Sequence, residues 1–268
     1  MNEQQPQTRF TRGDRPLVAV ADLHGHLDLF QRLLARLDAQ LGDRYLLVTL
    51  GDYVDNGSQI KQLLDFLIDL RARRPERFFP ILGNHDLACL RALGWPSGQP
   101  DLDWFRNWSD RYWNPGGQTP DQYGASSAAE FTRQFPAAHL QFLASLPWFR
   151  ECEDFLFVHA GLTGDPLATQ RELLSKRELL PGLRLAPQIR EKRLAVATDH
   201  PFPGTVVSGH TQGSRMRRLL GEAGRSTEFL RDCGCFAAPN RITLNSNVDS
   251  AGELHYVVLP ERSFGMVR

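Results

Sequence analysis

Apolar residues along the chain alternate between two patterns. Short runs at Leu17–Ala21, Tyr45–Leu50 and Phe78–Leu82 have the length and partial β-branching of buried strands. Between them, Leu27–Leu41 and Ile60–Arg73 place leucines at helical spacing among Arg, Asp and Gln, which predicts two amphipathic helices. Pro75 stands just beyond the second helix, where a stop belongs. The order βαβαβ predicts a parallel sheet with right-handed crossovers.

Further on, His85–Leu93 predicts a helix stopped by Gly94 and Pro96. Residues 95–127 lose periodicity and hold Trp95, Trp104, Trp108, Tyr112, Trp113 and Tyr123 among Gly, Pro, Asn and Ser. A section of that length within one domain reads either as an aromatic subdomain packed on itself or as a lid beside a site. Ser127–Phe135 and Ala137–Leu146 predict helices broken at Pro136, and Phe155–Val158 and Thr205–Ser208 predict strands. Residues 165–195 are helical in part, with breaks at Pro181 and Pro187. β-like runs near Phe229, Ile242–Leu244 and His255–Leu259 predict a second sheet packed on the first. The expected organisation is a flexible tail over residues 1–15, then a single α/β domain over 16–268 with an aromatic-rich insert at about 95–127.

Composition narrows the function classes. Lys+Arg and Asp+Glu balance at 31 each in 268 residues, which gives no bulk attraction to nucleic acid or membrane. No apolar run approaches the roughly 18 residues of a membrane span, and the polar N-terminus lacks a secretory core. The spacing of Cys89, Cys152, Cys233 and Cys235 matches neither a disulfide framework nor a zinc clamp. Reduced thiols and a cytoplasmic location are expected. Cys233-Gly-Cys235 is the one close pair.

The chemistry-bearing residues gather where apolar runs end. Asp22 and His24, Asp52 and Asp55, Asn84 and His85, His159 and His210 each follow a strand-like run. Open α/β sheets place ligands at such strand ends. Carboxylate, imidazole and amide oxygen together suit Mn, Fe, Zn or Co. A central carboxylate such as Asp52 can bridge two cations, and paired cations clamp a phosphoryl oxygen and activate water. His85 adjoins Asn84 and is placed to donate a proton to a leaving group, with Asp55 to orient it.

Together these residues resemble the calcineurin-like metallophosphoesterase superfamily. Asp22-x-His24-Gly, Gly51-Asp52-x-x-Asp55, Gly83-Asn84-His85-Asp86, His159-Ala-Gly161 and Gly209-His210 occur in that family's order over residues 17–212. The resemblance implies an αββα sandwich of two mixed sheets flanked by helices. It implies one metal on Asp22, His24 and Asp52, a second on Asp52, Asn84, His159 and His210, and His85 as general acid supported by Asp55. Two divalent or mixed-valence ions are implied, Mn being the first choice in vitro and Fe, Zn or Co the alternatives.

Within the superfamily the chain looks most like the phosphoprotein phosphatase branch in its bacterial form. Gly51-Asp-Tyr-Val-Asp-Asn-Gly57, Trp113-Asn-Pro-Gly-Gly-Gln-Thr119, His139–Leu146 leading to Phe157–Leu162, and Gln212 after the last Gly-His carry this likeness. It is also similar to Rhizobiales-like phosphatases. That implies hydrolysis of phosphorylated Ser, Thr or Tyr by a metal-bridging hydroxide. The branch has an arginine where this chain has Asn56, so phosphate binding is expected to draw on Asn56 and on Arg177, which matches an arginine of bacterial members. Hydrolysis of diadenosine tetraphosphate or another small phosphoester is the alternative, with the aromatic insert stacking a base. A non-catalytic binding module would require a lost ligand or acid, and none is lost. Phosphoprotein or a small phosphoester is the implied partner; no nucleic acid is expected.

Overall fold

A computed structural model describes residues 7–109, 119–178 and 185–268. Among these, ten strands occur: β1 Leu17–Val20, β2 Leu46–Thr49, β3 Phe149–Cys152, β4 Phe155–Val158, β5 Thr205–Ser208, β6 Phe229–Leu230, β7 Cys235–Ala238, β8 Arg241–Thr243, β9 Leu254–Leu259 and β10 Ser263–Val267. They form two mixed sheets. One has the order β10-β9-β1-β2, the other β3-β4-β5-β8-β7-β6. β1 pairs parallel with β2, and β5 pairs parallel with both β4 and β8; every other pairing is antiparallel.

Side-chain alternation explains the layering. Leu17, Ala19, Leu46 and Val48 meet Phe155, Phe157, Val207, Val257 and Leu259 in one apolar cluster between the sheets. Their neighbours Val18, Val20, Leu47, Leu156, Val158 and Tyr256 face the other way, into the cluster that includes the helices. β1, β2, β4 and β5 are thus buried on both faces, which is why each reads as a nearly continuous apolar run. The sandwich with flanking helices is the α/β architecture expected. α1, Leu27–Leu41, and α2, Ile60–Arg73, have the expected bounds and bury Phe30, Leu33 and Leu37, and Leu63, Leu64 and Leu67. α3 spans Asn84–Ala92.

Several elements differ from expectation. Phe78–Leu82 does not form a regular strand. It follows β2 through Phe79 N–H to Leu47 O and Ile81 N–H to Thr49 O, but pairs with it only as an isolated bridge between Phe78 and Leu47. The insert is not uniformly irregular: it contains α4, Leu102–Ser109, and a short α5, Thr119–Gln122. Tyr112, Trp113 and the Trp113–Thr119 stretch up to residue 118 lie outside the described residues, as does the break at Pro181. α6, Ala128–Gln134, and α7, Ala137–Ser145, follow on either side of Pro136. α8, Leu167–Lys176, α9, Pro187–Arg190, α10, Gly213–Glu222, and α11, Val248–Ala251, complete the chain. In the segment expected to be a tail, residues 8–10 run beside β3. Glu151 N–H donates to Thr8 O, Phe10 N–H donates to Glu151 O, and the Phe10 ring stacks on Phe79 at 3.9 Å. Among the described residues no helix is long and apolar enough to cross a membrane.

Candidate metal centre and catalytic cavity

The parallel strands deliver their C-terminal ends to one edge. Asp22 and His24 follow β1, Asp52 follows β2, His159 follows β4, and His210 follows β5. The exits are tight. Eight described non-glycine residues have left-handed φ, and five belong to these loops: His24, Asp52, Asp55, Asn56 and His210. Strain concentrated this way marks a functional site. Asp86, in the first turn of α3, locks two exits together. Its buried carboxylate accepts the N–H groups of Asp52 and Gly83 at 2.9 Å and of Tyr53 at 2.8 Å. Asp86 has no part in the expected ligand set, yet a carboxylate at the third helical position before an apolar run is a capping signal legible in the sequence. Gly83 is required here, since a Cβ would sit 2.1 Å from Asp52 Oδ1.

The expected ligands converge. His159 Nε2 lies 3.2 Å from Asp52 Oδ2 and 3.0 Å from Asn84 Oδ1. His210 Nδ1 lies 3.1 Å from His159 Nε2, and His24 Nε2 lies 3.8 Å from Asp52 Oδ2. Asp22 Oδ1 accepts the N–H of His210 at 2.9 Å, joining the two sheets across the site.

The three rings pass a direct test of fitness for metal. In each, the nitrogen turned away from the centre meets a backbone carbonyl: His24 Nδ1 at Val54 O, 2.9 Å; His159 Nδ1 at Leu50 O, 2.6 Å; His210 Nε2 at Arg190 O, 2.8 Å. Only an N–H can bond a carbonyl, so the inward nitrogen is the one with a lone pair to offer. The donor set of imidazole, carboxylate and amide oxygen fits first-row transition cations.

Electrostatics agree. Burial works against ionised Asp52, yet His159, His85 and His24 outweigh it and hold the carboxyl well below the usual carboxylate range. Burial also opposes charge on His159, but Asp52 and then Asp22 prevail and push it up to about 9. A cation on this pair competes with that proton. Burial and the neighbouring His159 push His210 down to about 3.

His85 is held differently. Its Nδ1 lies 2.7 Å from Asp55 Oδ2, and its backbone N–H donates to Asp52 Oδ1 at 2.9 Å. Burial lowers its proton affinity, but Asp52 and Asp55 overcome this and raise it to about 10. His85 also falls within ligand distance of His24 and Asp52. The buried Asp55 carboxylate gives its ring a partner of the kind that orients a proton donor.

A cavity of about 780 Å³ opens over this centre. Asn56 lines it, with its amide Nδ2 donating to Asp249 Oδ2 at 2.8 Å. Arg177 is not among the residues lining it. The left-handed cap of α8 turns Arg177 toward Ala144 O, to which its Nη1 donates, and its guanidinium lies over Trp95. Instead Arg190, Lys192 and Arg215 line the cavity, and Arg215 Nε is a buried donor without a hydrogen-bond partner. No local sequence signal marked them. Arg190 ends α9 and Arg215 lies in the first turn of α10. A second cavity of about 870 Å³ lies under the N-terminal segment. Its Arg9 and Arg171 are both paired with Glu151, and no motif residue reaches it.

Among known families, the one described as calcineurin-like phosphoesterase matches residues 15–213. Solved structures share the whole fold at low identity. One described as a "putative diadenosine tetraphosphatase" is 18% identical, with 98% of each chain covered and a TM-score of 0.59. A protein serine/threonine phosphatase from Saccharomyces cerevisiae is 17% identical, covering 99% of this chain and 84% of that one, with a TM-score of 0.55. A cold-active protein tyrosine phosphatase is 15% identical, covering 99% and 82%, with a TM-score of 0.52.

Proposed function

The chain belongs to the calcineurin-like phosphoesterase family and is a hydrolase of phosphoester bonds; from that premise we propose that it is a phosphomonoesterase of the protein phosphatase type, acting on phosphorylated Ser, Thr or Tyr. The observation that carries this reading is the His85–Asp55 pair beside the metal ligands. A serine alkoxide or a tyrosine phenoxide, of pKa about 10 for the free phenol, leaves poorly unless protonated. The phosphate leaving from a nucleotide anhydride, with a second ionisation near 6, has little need of an acid. The insert argues the same way. Its described rings pack inward: Trp108 and Tyr123 lie in the core cluster, and Trp104 Nε1 donates to Ala88 O.

The family uses a dinuclear metal centre. Here Asp22, His24 and Asp52 would hold one ion, and Asp52, Asn84, His159 and His210 the other. Bound there, the ions would polarise phosphoryl oxygens and bring the pKa of water toward neutrality. We assign Mn as the working metal in vitro, with Fe, Zn or Co also suited to the ligands.

The remaining steps fall to the chain. Arg190, Lys192 and Arg215 supply the positive charge that Asn56 lacks and orient the phosphoryl group. A water oxygen forms the new bond to phosphorus and releases its proton to solvent. As the bond to the leaving oxygen breaks, His85 passes the Nε2 proton to that oxygen, and Asp55 stabilises the ring in both states. Asp249 holds Asn56 in the cavity wall and also meets His26 Nε2. The four thiols are unpaired, which accords with our placing the protein in the reducing cytoplasm.

Arg215→Ala and Arg190→Ala are each expected to raise KM for p-nitrophenyl phosphate about tenfold, the scale of a charge-assisted hydrogen bond. Metal content should not change. The reading as a whole is tested with Mn-loaded protein on a phosphotyrosine peptide, a phosphothreonine peptide and diadenosine tetraphosphate. Metal-dependent phosphate release from a peptide should exceed dinucleotide cleavage. Preference for the dinucleotide would replace this reading with a nucleotide hydrolase.

A further inference from the structure

We propose that Trp108 and Thr119, both from the insert, are positioning residues for the acid pair, so that the insert serves as the rear support of His85. The inference rests on the reading of His85 as general acid and extends it to two insert residues, Trp108 and Thr119, the second of which ends the Trp113–Thr119 stretch.

The Asp55 carboxylate is fully buried, and three side chains converge on it. His85 Nδ1 and Trp108 Nε1 meet Oδ2 at 2.7 and 2.8 Å, and Thr119 Oγ1 meets Oδ1 at 2.5 Å. Donor chemistry decides the direction of each bond. An indole N–H only donates. The Thr119 hydroxyl oxygen accepts the backbone N–H of Asp55 at 3.0 Å, so its own proton is free to go to Oδ1. The carboxylate is the common acceptor, His85 Nδ1–H donates to it, and Nε2 is left for the cavity that His85 lines. Two donors besides His85 hold the carboxylate in one rotamer, and that rotamer sets the plane of the imidazole.

The backbone needs the same support. Asp55 has φ +67, a left-handed conformation that a non-glycine residue holds only where its surroundings impose it. Thr119 grips both the N–H and the carboxylate of this residue. From the same turn, Gln122 Oε1 accepts the N–H of Ile60 and its Nε2 donates to Gly57 O, closing the rest of the loop. The Trp108 ring is fixed by Phe105 at 6.5 Å and Phe131 at 5.8 Å. α4 and α5 thus press on the 51–57 loop from behind, opposite the cavity side of His85.

An acid matters in proportion to the basicity of the group it protonates. Loosening it should therefore slow alkyl phosphates far more than nitrophenyl phosphate. A fold-wide disturbance would slow both alike. The experiment measures kcat, KM and bound Mn for Trp108→Phe, Thr119→Val and Thr119→Ser on p-nitrophenyl phosphate, phenyl phosphate and phosphoserine. His85→Asn serves as the reference. Phe keeps the packed ring and removes only the N–H, and Ser keeps the hydroxyl.

For Trp108→Phe and Thr119→Val, the loss of kcat on phosphoserine should exceed that on p-nitrophenyl phosphate by about tenfold or more. KM and two bound Mn should persist, and Thr119→Ser should keep the wild-type dependence. Equal losses across the series, or none, while His85→Asn shows the steep dependence, would overturn the inference alone. A flat dependence in His85→Asn would remove His85 as the acid, and the reading of the site would fail with it.

Discussion

His85→Asn is expected to lower kcat on a phosphothreonine peptide about 100-fold or more, the usual contribution of a positioned acid, with two metal ions still bound per chain. Asparagine keeps the backbone N–H that donates to Asp52 Oδ1 and can still donate an amide N–H to Asp55, so the loop has reason to stay in place. It has no proton to give to a leaving oxygen. The pairing of readouts decides between two roles, because His85 also stands within ligand distance of His24 and Asp52. Were it a ligand, elemental analysis would show metal lost along with turnover. Loss of turnover at full metal content assigns the acid. Wild-type turnover would exclude His85 from either role.

The sequence and the structure agree best where chemistry and packing are local. α1 and α2 are legible because leucines three and four apart can only form one face, and Phe155–Val158 and Thr205–Ser208 because buried strands need continuous apolar runs. The motif residues at the strand exits meet because parallel strands deliver their ends together. Other elements carry little local signal. α10 buries only Gly213, Met216, Leu219 and Leu220 among arginines, and β10 is an edge strand that stays partly exposed. β3 carries Arg150 and Glu151 in a fully buried run, because Arg150 donates to Gln7 O and Glu151 pairs with Arg171.

Long-range partnerships are the least legible. Asn56 meets Asp249, 193 residues away, and Asp55 meets Trp108 and Thr119, 53 and 64 residues away. Spacing has no purchase on such contacts. The same holds for the cations that line the cavity. Arg177 had the matching sequence context, but its place at the left-handed end of α8 sends it to Ala144. Arg190 and Arg215 reach the cavity through the short α9 and the start of α10, which no apolar pattern announces.

Asp52→Asn tests the centre itself, and its effect should be at least as large as that of His85→Asn. The side chain is buried between His24 and His159, and its Oδ1 is occupied by the N–H of His85. Asparagine preserves the shape and one acceptor, and removes the charge that both cations would share. Losing a partner outside the ligand shell typically costs about 10–100-fold in metal affinity or activity, so the shared ligand should cost about 100-fold or more. Turnover alone would not separate lost metal from a misfolded loop. Thermal melts with and without Mn do. A metal that binds only the folded chain stabilises it by about 2.7 kcal/mol at a hundred times its Kd, so wild-type Tm should rise on adding Mn. In Asp52→Asn that rise should shrink or vanish, and elemental analysis should find fewer than two ions per chain. An unchanged Mn-induced shift with two ions retained would show that Asp52 does not bridge, and the ligand assignment would have to be rebuilt around the imidazoles and Asp22.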